Sequence, residues 1–353
     1  MQKGQVPSTV PHSKSTIRER AVICGLEFIY REACRPGAFD EYGFDYLFSF
    51  RWIASTSLSP AVRAMARTMG GERARLWRRQ NPIVPPDADA DTITNFVFAN
   101  LAADRFGIRD PGMKANIAEG AQRFSAVDYF WFDAVKEPPP RDVPADCVCG
   151  ATNPRGSSRC QSCKKRLAMM SRYEVLVVAL IRSYMGERYG VPLGARLQEV
   201  IKWLPELGPY PEPDGEPNGD FIWSIYAVTH LVYALNDYST FRLSPHWLPL
   251  EFEFLKRCVP VAISTGDPET MGEILDSLKS FGLGQRSQLL REGMDYLIRT
   301  QNADGSWGDP DAGDTYDRYH PTLTAINGLR EYSWRGLRLS FPKLRSTLGI
   351  AKE

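Results

Sequence analysis

What the sequence lacks narrows its class before any motif is read. No apolar run approaches the roughly 20 residues that a membrane-crossing helix needs, and a typical long one, Val175 to Ile181, is closed by Arg182. Neither sign of charge is in excess: 43 Lys+Arg stand against 42 Asp+Glu, for a formal net charge of +1. That excludes a generally basic nucleic-acid binder and an acidic tail protein. Seven cysteines in 353 residues are too few for a disulfide scaffold, and their odd number fits a reducing compartment. The opening MQKGQVPSTVPHSKST is polar and has no apolar core of the kind a signal peptide carries. Convincing period-two alternation bounded by turn residues is missing, so strands should be few. The expectation is a soluble cytoplasmic protein with no membrane span and no nucleic-acid partner.

What is present is helix after helix. Residues 1–14 read as a mobile tail and 15–353 as the folded domain. Thr16-Ile17-Arg18-Glu19 has the spacing of a capping box, in which hydroxyl and carboxylate satisfy each other's backbone N–H groups. Apolar residues at three- and four-residue spacing predict helices over 92–106, 113–124, 172–184, 194–204, 221–235, 269–280, 289–301 and 321–332. Pro- and Gly-rich stretches at 81–91, 136–147 and 207–220 break the pattern, and the third is long enough to be a site wall or lid. Segments starting near Asp91, Ser171, Asp220 and Tyr319 are rich in aromatic and apolar residues, whereas those between them are more amphipathic. That alternation suggests inner and outer helical layers.

Residues 147–163 read CVCGATNPRGSSRCQSC. Cys147 and Cys149 form one close pair and Cys160 and Cys163 another, across a short loop, so four thiolates can meet in a tetrahedron, for which zinc is the default ion. Lys164, Lys165 and Arg166 follow at once and offset the charge of a four-thiolate centre. The segment resembles a zinc ribbon, with a first pair tighter than usual, and marks 140–168 as a structural zinc-binding insertion. It has no aromatics to stack on bases. Cys24, Cys34 and Cys258 fall in apolar helical segments and are expected in the core.

Residues 293–307 read GMDYLIRTQNADGSW. Gly293, Tyr296, Leu297, Gln301, Gly305 and Trp307 have the spacing of the QW repeat, and this segment resembles that of squalene–hopene cyclases and their relatives, with Glu292 where many repeats carry a base. Gln301 can bond helix-terminal carbonyls and reach the next repeat, Gly305 supplies a turn, and Trp307 can stack on the glutamine. The following DTYDRYHPTLTAINGLREY (314–332) resembles a helix start in protein prenyltransferase β subunits, where a His ligates zinc and His320 holds that place. The resemblance implies an all-α fold, the α/α toroid of inner and outer helices with an active cavity at one mouth, and either a protein partner or a homodimer. Two departures matter. The partner loop Asn218-Gly219-Asp220 offers Asp220 as a ligand but no cysteine. The cyclase protonating motif is met only in part, by Asp89-Ala90-Asp91-Thr92, with Asp91 in the donor's place.

Four histidines are present. His12 falls in the tail and His246 in a Pro-flanked turn. His230 shares a helical face with Tyr226 and Asp237 by spacing, so it suits a metal ligand or general base. His320 has Asp314, Asp317 and Tyr319 nearby. A shared His/His/carboxylate centre would bind a second divalent metal, with Asp220 as a further ligand. Against it, His230 sits roughly 14 Å into its helix, while His320 is expected at a helix start. Aromatics such as Phe96, Tyr173, Trp223, Tyr226 and Tyr233 fall in the inner-helix segments and suit a core or an apolar cavity wall. The combined expectation is a toroid enzyme acting on a hydrophobic or isoprenoid-like small molecule through His320 and neighbouring carboxylates. Two alternatives stand beside it: a cyclase initiated by a proton from Asp91, and a non-catalytic scaffold carrying a zinc module.

Overall fold

The computed structural model describes residues 16–212 and 218–350. The tail expected over 1–14 and part of the 207–220 loop lie outside the described residues. Fourteen α-helices are present among them: α1 (Ile17–Ala33), α2 (Pro36–Thr56), α3 (Pro60–Gln80), α4 (Ala90–Arg105), α5 (Pro111–Ala121), α6 (Ala126–Phe130), α7 (Arg172–Tyr189), α8 (Leu197–Ile201), α9 (Gly219–Leu235), α10 (Pro249–Thr265), α11 (Pro268–Ser280), α12 (Gln288–Thr300), α13 (Thr315–Leu329) and α14 (Leu344–Thr347). Among the described residues there is no strand, only isolated bridges such as Ser57 with Tyr332 and Pro144 with Met169. The fold is all-α.

Local chemistry explains many of the starts. Pro36, Pro60, Pro111, Pro249 and Pro268 each open a helix, where the missing N–H costs nothing and the fixed φ is already helical. Thr16 caps α1 by accepting from Glu19 N, while the Glu19 carboxylate accepts from Ser59 Oγ at 2.5 Å. The helix expected over 194–204 is reduced to α8 and a 3₁₀ turn at Leu204–Glu206. The helix expected from Pro321 begins six residues earlier, at Thr315. Pro321 is tolerated inside it, with Gly308 close against its ring.

Packing gives the helices different roles. α2 packs on α4, α4 on α7, α7 on α9, α9 on α11 and α11 on α13, and α13 also meets α2. Other helices lie against these: α1 on α2 and α13, α3 on α2 and α4, α10 on α9 and α11, α12 on α11 and α13. The difference shows in burial. α12 buries one stripe, Leu290, Gly293, Met294, Tyr296 and Leu297, as a surface helix does. α11 is buried at every residue from Thr270 to Ser280, including Glu273, Asp276 and Lys279. Gly272 makes this possible, because a Cβ there would lie 2.3 Å from the Thr324 backbone of α13.

The 293–307 motif ties the end of the chain to its start. Gln301 Nε2 donates to Ala21 O in α1 and to Gly305 O, each at 3.0 Å. Trp307 is fully buried, its Nε1 donates to Leu297 O at 2.7 Å, and its backbone N donates to Thr322 Oγ1 at 3.0 Å. The tryptophan, not the glutamine, therefore bonds its helix-terminal carbonyl. Gly305 has φ +93, and a Cβ there would meet Cys24 O at 2.6 Å, so both conformation and space call for glycine.

Candidate active site and metal centre

Four helices bring a cluster of titratable groups together. α9 carries Tyr226, Thr229 and His230, α11 carries Glu269 and Glu273, α13 carries Tyr316, Tyr319 and His320, and α2 carries Asp45. His320 Nδ1 lies 3.1 Å from Glu269 Oε1, a close ion pair outside good hydrogen-bond angles. Tyr226 OH donates to the same Glu269 oxygen at 3.0 Å. His230 Nδ1 lies 3.7 Å from Glu273 Oε2, which accepts from Thr229 Oγ1 at 2.5 Å. The His320 ring stacks on Tyr316 with centroids 4.5 Å apart, and Tyr319 OH donates to Asp45 at 2.5 Å. The side chains of His230 and His320 are only 14% and 15% exposed.

The two histidines are thus brought into one electrostatic neighbourhood, although their depths in sequence argued for separate places. The early start of α13 carries His320 into its second turn, which removes much of the difference. Asp237 departs from expectation. It lies beyond α9 in a turn where Asp237, Tyr238 and Ser239 all have left-handed φ, of 56, 48 and 60°. It accepts from Tyr184 OH at 2.6 Å and pairs with Arg188 at 2.8 Å. The helical face it would have shared with His230 ends before it.

The environments set unlike protonation states. Burial pulls His230 down to about 4, reinforced by the charge on His320, so it is neutral at pH 7. Its Nδ1 meets the Tyr226 carbonyl at 2.9 Å. A carbonyl only accepts, so Nδ1 carries the proton and Nε2 the lone pair. Burial works against charge on His320 as well, yet Glu269, with Asp45 and Glu273, overrides it and raises His320 to about 9. Burial would lift Glu269, but His320 and Tyr226 hold it below the usual carboxylate range. Burial lifts Glu273 to about 8 against the pull of His320 and Thr229. Near neutral pH the site therefore holds a neutral imidazole, an imidazolium paired to a carboxylate, and a protonated acid.

A cleft of ≈490 Å³ opens onto Glu269, walled by Tyr296 and Pro321 with Asp267, Asp309 and Asp317 on its sides. A smaller pocket of ≈270 Å³ lies between the starts of α1 and α3 and the end of α13. Among its charged groups Arg18 pairs with Glu331, Glu19 accepts from Ser59, and Arg330 donates to Asn327, Thr56 and Ser57.

Of the other expected site residues, four acids are helix caps or exposed, and Trp223 touches the cluster. Asp314 caps α13, accepting from Tyr316 N and from Tyr42 OH. Asp89 caps α4 through Thr92 N. Asp91 is 69% exposed and pairs with Arg182 at 2.7 Å. Asp220 is exposed in the first turn of α9. Trp223 packs on Tyr226. Glu269, Glu273 and Asp45 had not been singled out, because a carboxylate on a periodic helix reads as solvent-facing. Gly272 between the two glutamates was the available signal that a neighbour crosses this helix closely.

The cysteine segment lies between α6 and α7. Its bridges Pro144 with Met169 and Arg159 with Arg166 bring its ends together, and Gly150, Gly156 and Lys164 have φ of 77, 81 and 63° at the turns. Cys147 Sγ lies 3.4 Å from Cys163 Sγ, and Cys149 Sγ lies 3.6 Å from Cys160 Sγ. The four ligand atoms fall within 4.8 Å of one another, and they are the one such set among the described residues. Those separations are far longer than the ~2.0 Å of a disulfide and close to the ~3.8 Å edge of a tetrahedron with metal–sulfur bonds of about 2.3 Å. Backbone N–H groups of Cys163 and Ser162 favour the Cys160 thiolate and draw it down to about 6. The four cysteines can hold a metal ion. His230, His320 and their carboxylates form no such set. Cys258 is buried as expected, but Cys24 in α1 and Cys34 at its C-cap are exposed. No family model and no curated protein matches this chain.

Proposed function

We propose that the chain is an acid–base enzyme built on an α/α toroid, acting on a hydrophobic or isoprenoid-like small molecule. The observation that carries the reading is the pair of histidines with opposite protonation beside Glu269 and Glu273. Groups whose environments push their pKa values apart are how one site supplies acid and base at one pH. His230 Nε2 takes a proton from substrate and His320 returns one, with Glu269 holding His320 charged. Tyr226 and Tyr316 pack on the two histidines and Trp223 on Tyr226, which makes the surroundings of the pair aromatic. Proton transfer within one substrate makes the reaction an isomerisation or an elimination. The toroid is supported by the succession of neighbours from α2 through α4, α7, α9 and α11 to α13 and back to α2, and by the Gln301–Trp307 tie to α1.

Zinc is the ion proposed for the four cysteines, in a structural role, because a closed thiolate set leaves no open position for substrate. A second reading, a binding protein that docks through this module, is favoured by Val148, which is 85% exposed between two of the cysteines.

The test is solvent exchange. Isoprenoid aldehydes and ketones are incubated with the protein in heavy water, and deuterium incorporation is followed by mass spectrometry. A base at His230 predicts catalysed exchange that falls by about 10²–10⁴ in His230→Gln. Exchange that persists in folded His230→Gln and His320→Gln would remove the acid–base assignment.

A further inference from the structure

At the opposite ends of these helices, Arg51 of α2 is only 7% exposed, and its guanidinium keeps its charge although burial opposes it. Its guanidinium lies over the Phe48 ring at 5.2 Å, a contact that uses none of its five N–H donors. No hydrogen bond or ion pair joins it to any described residue, and its Nε is enclosed without an acceptor. Within electrostatic reach are Arg105 of α4, Arg188 of α7 and Asp237. Asp237 is already taken, by Tyr184 on one oxygen and Arg188 on the other, and Arg188 Nε is likewise enclosed without an acceptor. Arg51, Arg105 and Arg188 therefore lie in one electrostatic neighbourhood with Asp237, and no hydrogen bond joins Asp237 to Arg51. Buried charges in folded proteins are paired, so an acceptor is missing. The left-handed Asp237–Ser239 turn aims Asp237 at Arg188 and Tyr184 and carries Ser239 Oγ to Asp276 at 3.0 Å, so neither side chain bonds Arg51.

We propose that the C-terminal ends of α2, α4 and α7, with the Asp237–Ser239 turn, bind the carboxylate or phosphate group of a small molecule. Arg51 receives its oxygens and Arg188 and Arg105 flank it. A planar guanidinium with two free N–H edges matches such an oxyanion in bidentate fashion. Tyr238 packs edge-on to both Phe48 and Trp52 and stacks with Tyr233, so the ground behind Arg51 is aromatic and supplies no competing acceptor. The charged groups of this site, Arg51, Arg105, Arg188 and Asp237, are not those of the His230–His320 cluster, so the two readings can be tested separately.

Thermal unfolding of the full chain in phosphate, in benzoate, and in chloride at matched ionic strength tests the proposal. Binding predicts a rise in Tm of about 3–5 °C at a hundredfold excess over Kd for at least one of the two probes. Phosphate alone or benzoate alone identifies which group the site takes. Arg51→Met keeps the volume and removes the charge. It should abolish the probe-specific rise while leaving Tm in chloride equal or higher, since an unpaired buried charge has gone. If that variant does not fold, exposed Arg105→Gln decides, with apparent affinity expected to fall about two- to five-fold. No rise beyond chloride with either probe, an undiminished rise in Arg51→Met, or unchanged affinity in Arg105→Gln where that variant decides, would overturn the proposal.

Discussion

Glu269 and Glu273 stand one turn apart on α11 and differ in charge, because His320, 3.1 Å away, and Tyr226 outweigh burial at Glu269, whereas burial outweighs the pull of His320 at Glu273. Their amide variants should therefore behave differently. Gln mimics a protonated acid, so Glu273→Gln keeps the Thr229 hydrogen bond and should change stability by less than about 1 kcal/mol below pH 8. Glu269→Gln leaves His320 without its counter-charge and should cost on the order of 2 kcal/mol at pH 6. The pH dependence follows from His320. Its folded value of about 9 exceeds the ordinary 6.5, so between those values the folded state keeps a proton the unfolded chain has released. That stabilisation is complete below pH 6.5 and is lost as pH rises through 9. His230, held at about 4, acts oppositely and costs stability as pH falls from 6.5 towards 4. Urea titrations of wild type and Glu269→Gln across pH 6–9 check this, with the two curves expected to converge at the alkaline end. Parallel curves would mean that the ion pair does not set the His320 charge.

The arrangement of these groups depends on how closely α11 and α13 approach. Gly272→Ala would place a methyl group 2.3 Å from the Thr324 backbone, and Gly328 comes within 3.0 Å of Gly272 when given a Cβ. Backbone cannot yield as a side-chain end can, so this substitution should cost about 3 kcal/mol, measured by chemical denaturation. Trp307→Ala, which empties a fully buried site and frees Leu297 O, should cost about 3–5 kcal/mol. Most helices were legible in the sequence, because periodicity and capping are local. The start of α13 was not, since a proline favours a first turn and this helix runs through Pro321. Of the site, His230, His320, Tyr226 and Tyr319 were legible as residues that carry chemistry. Glu269, Glu273 and Asp45 were not. Helical periodicity reports which face is apolar, and it does not report that α9, α10, α12 and α13 together cover the polar face as well.

Across the whole molecule, the cysteine segment and the helical body have separate cores. Cys147, Cys160 and Leu167 form a cluster of their own, apart from the main one. Removing the metal should therefore loosen the segment around residues 140–168 and leave the helices intact. A chelator should make this segment sensitive to proteolysis with little change in far-ultraviolet circular dichroism. Elemental analysis should find one metal ion per chain in wild type and none after the four cysteines are replaced. Global unfolding on chelation would contradict that separation. The central claim, that opposed protonation of two neighbouring histidines forms the active site, is tested most directly by nitrogen-detected NMR titration of the imidazoles, assigned with His230→Gln and His320→Gln. The account predicts that at pH 7 His230 is neutral with its proton on Nδ1 and His320 is doubly protonated, with His320 losing its proton only near pH 9. Two histidines titrating together near 6.5 would contradict it.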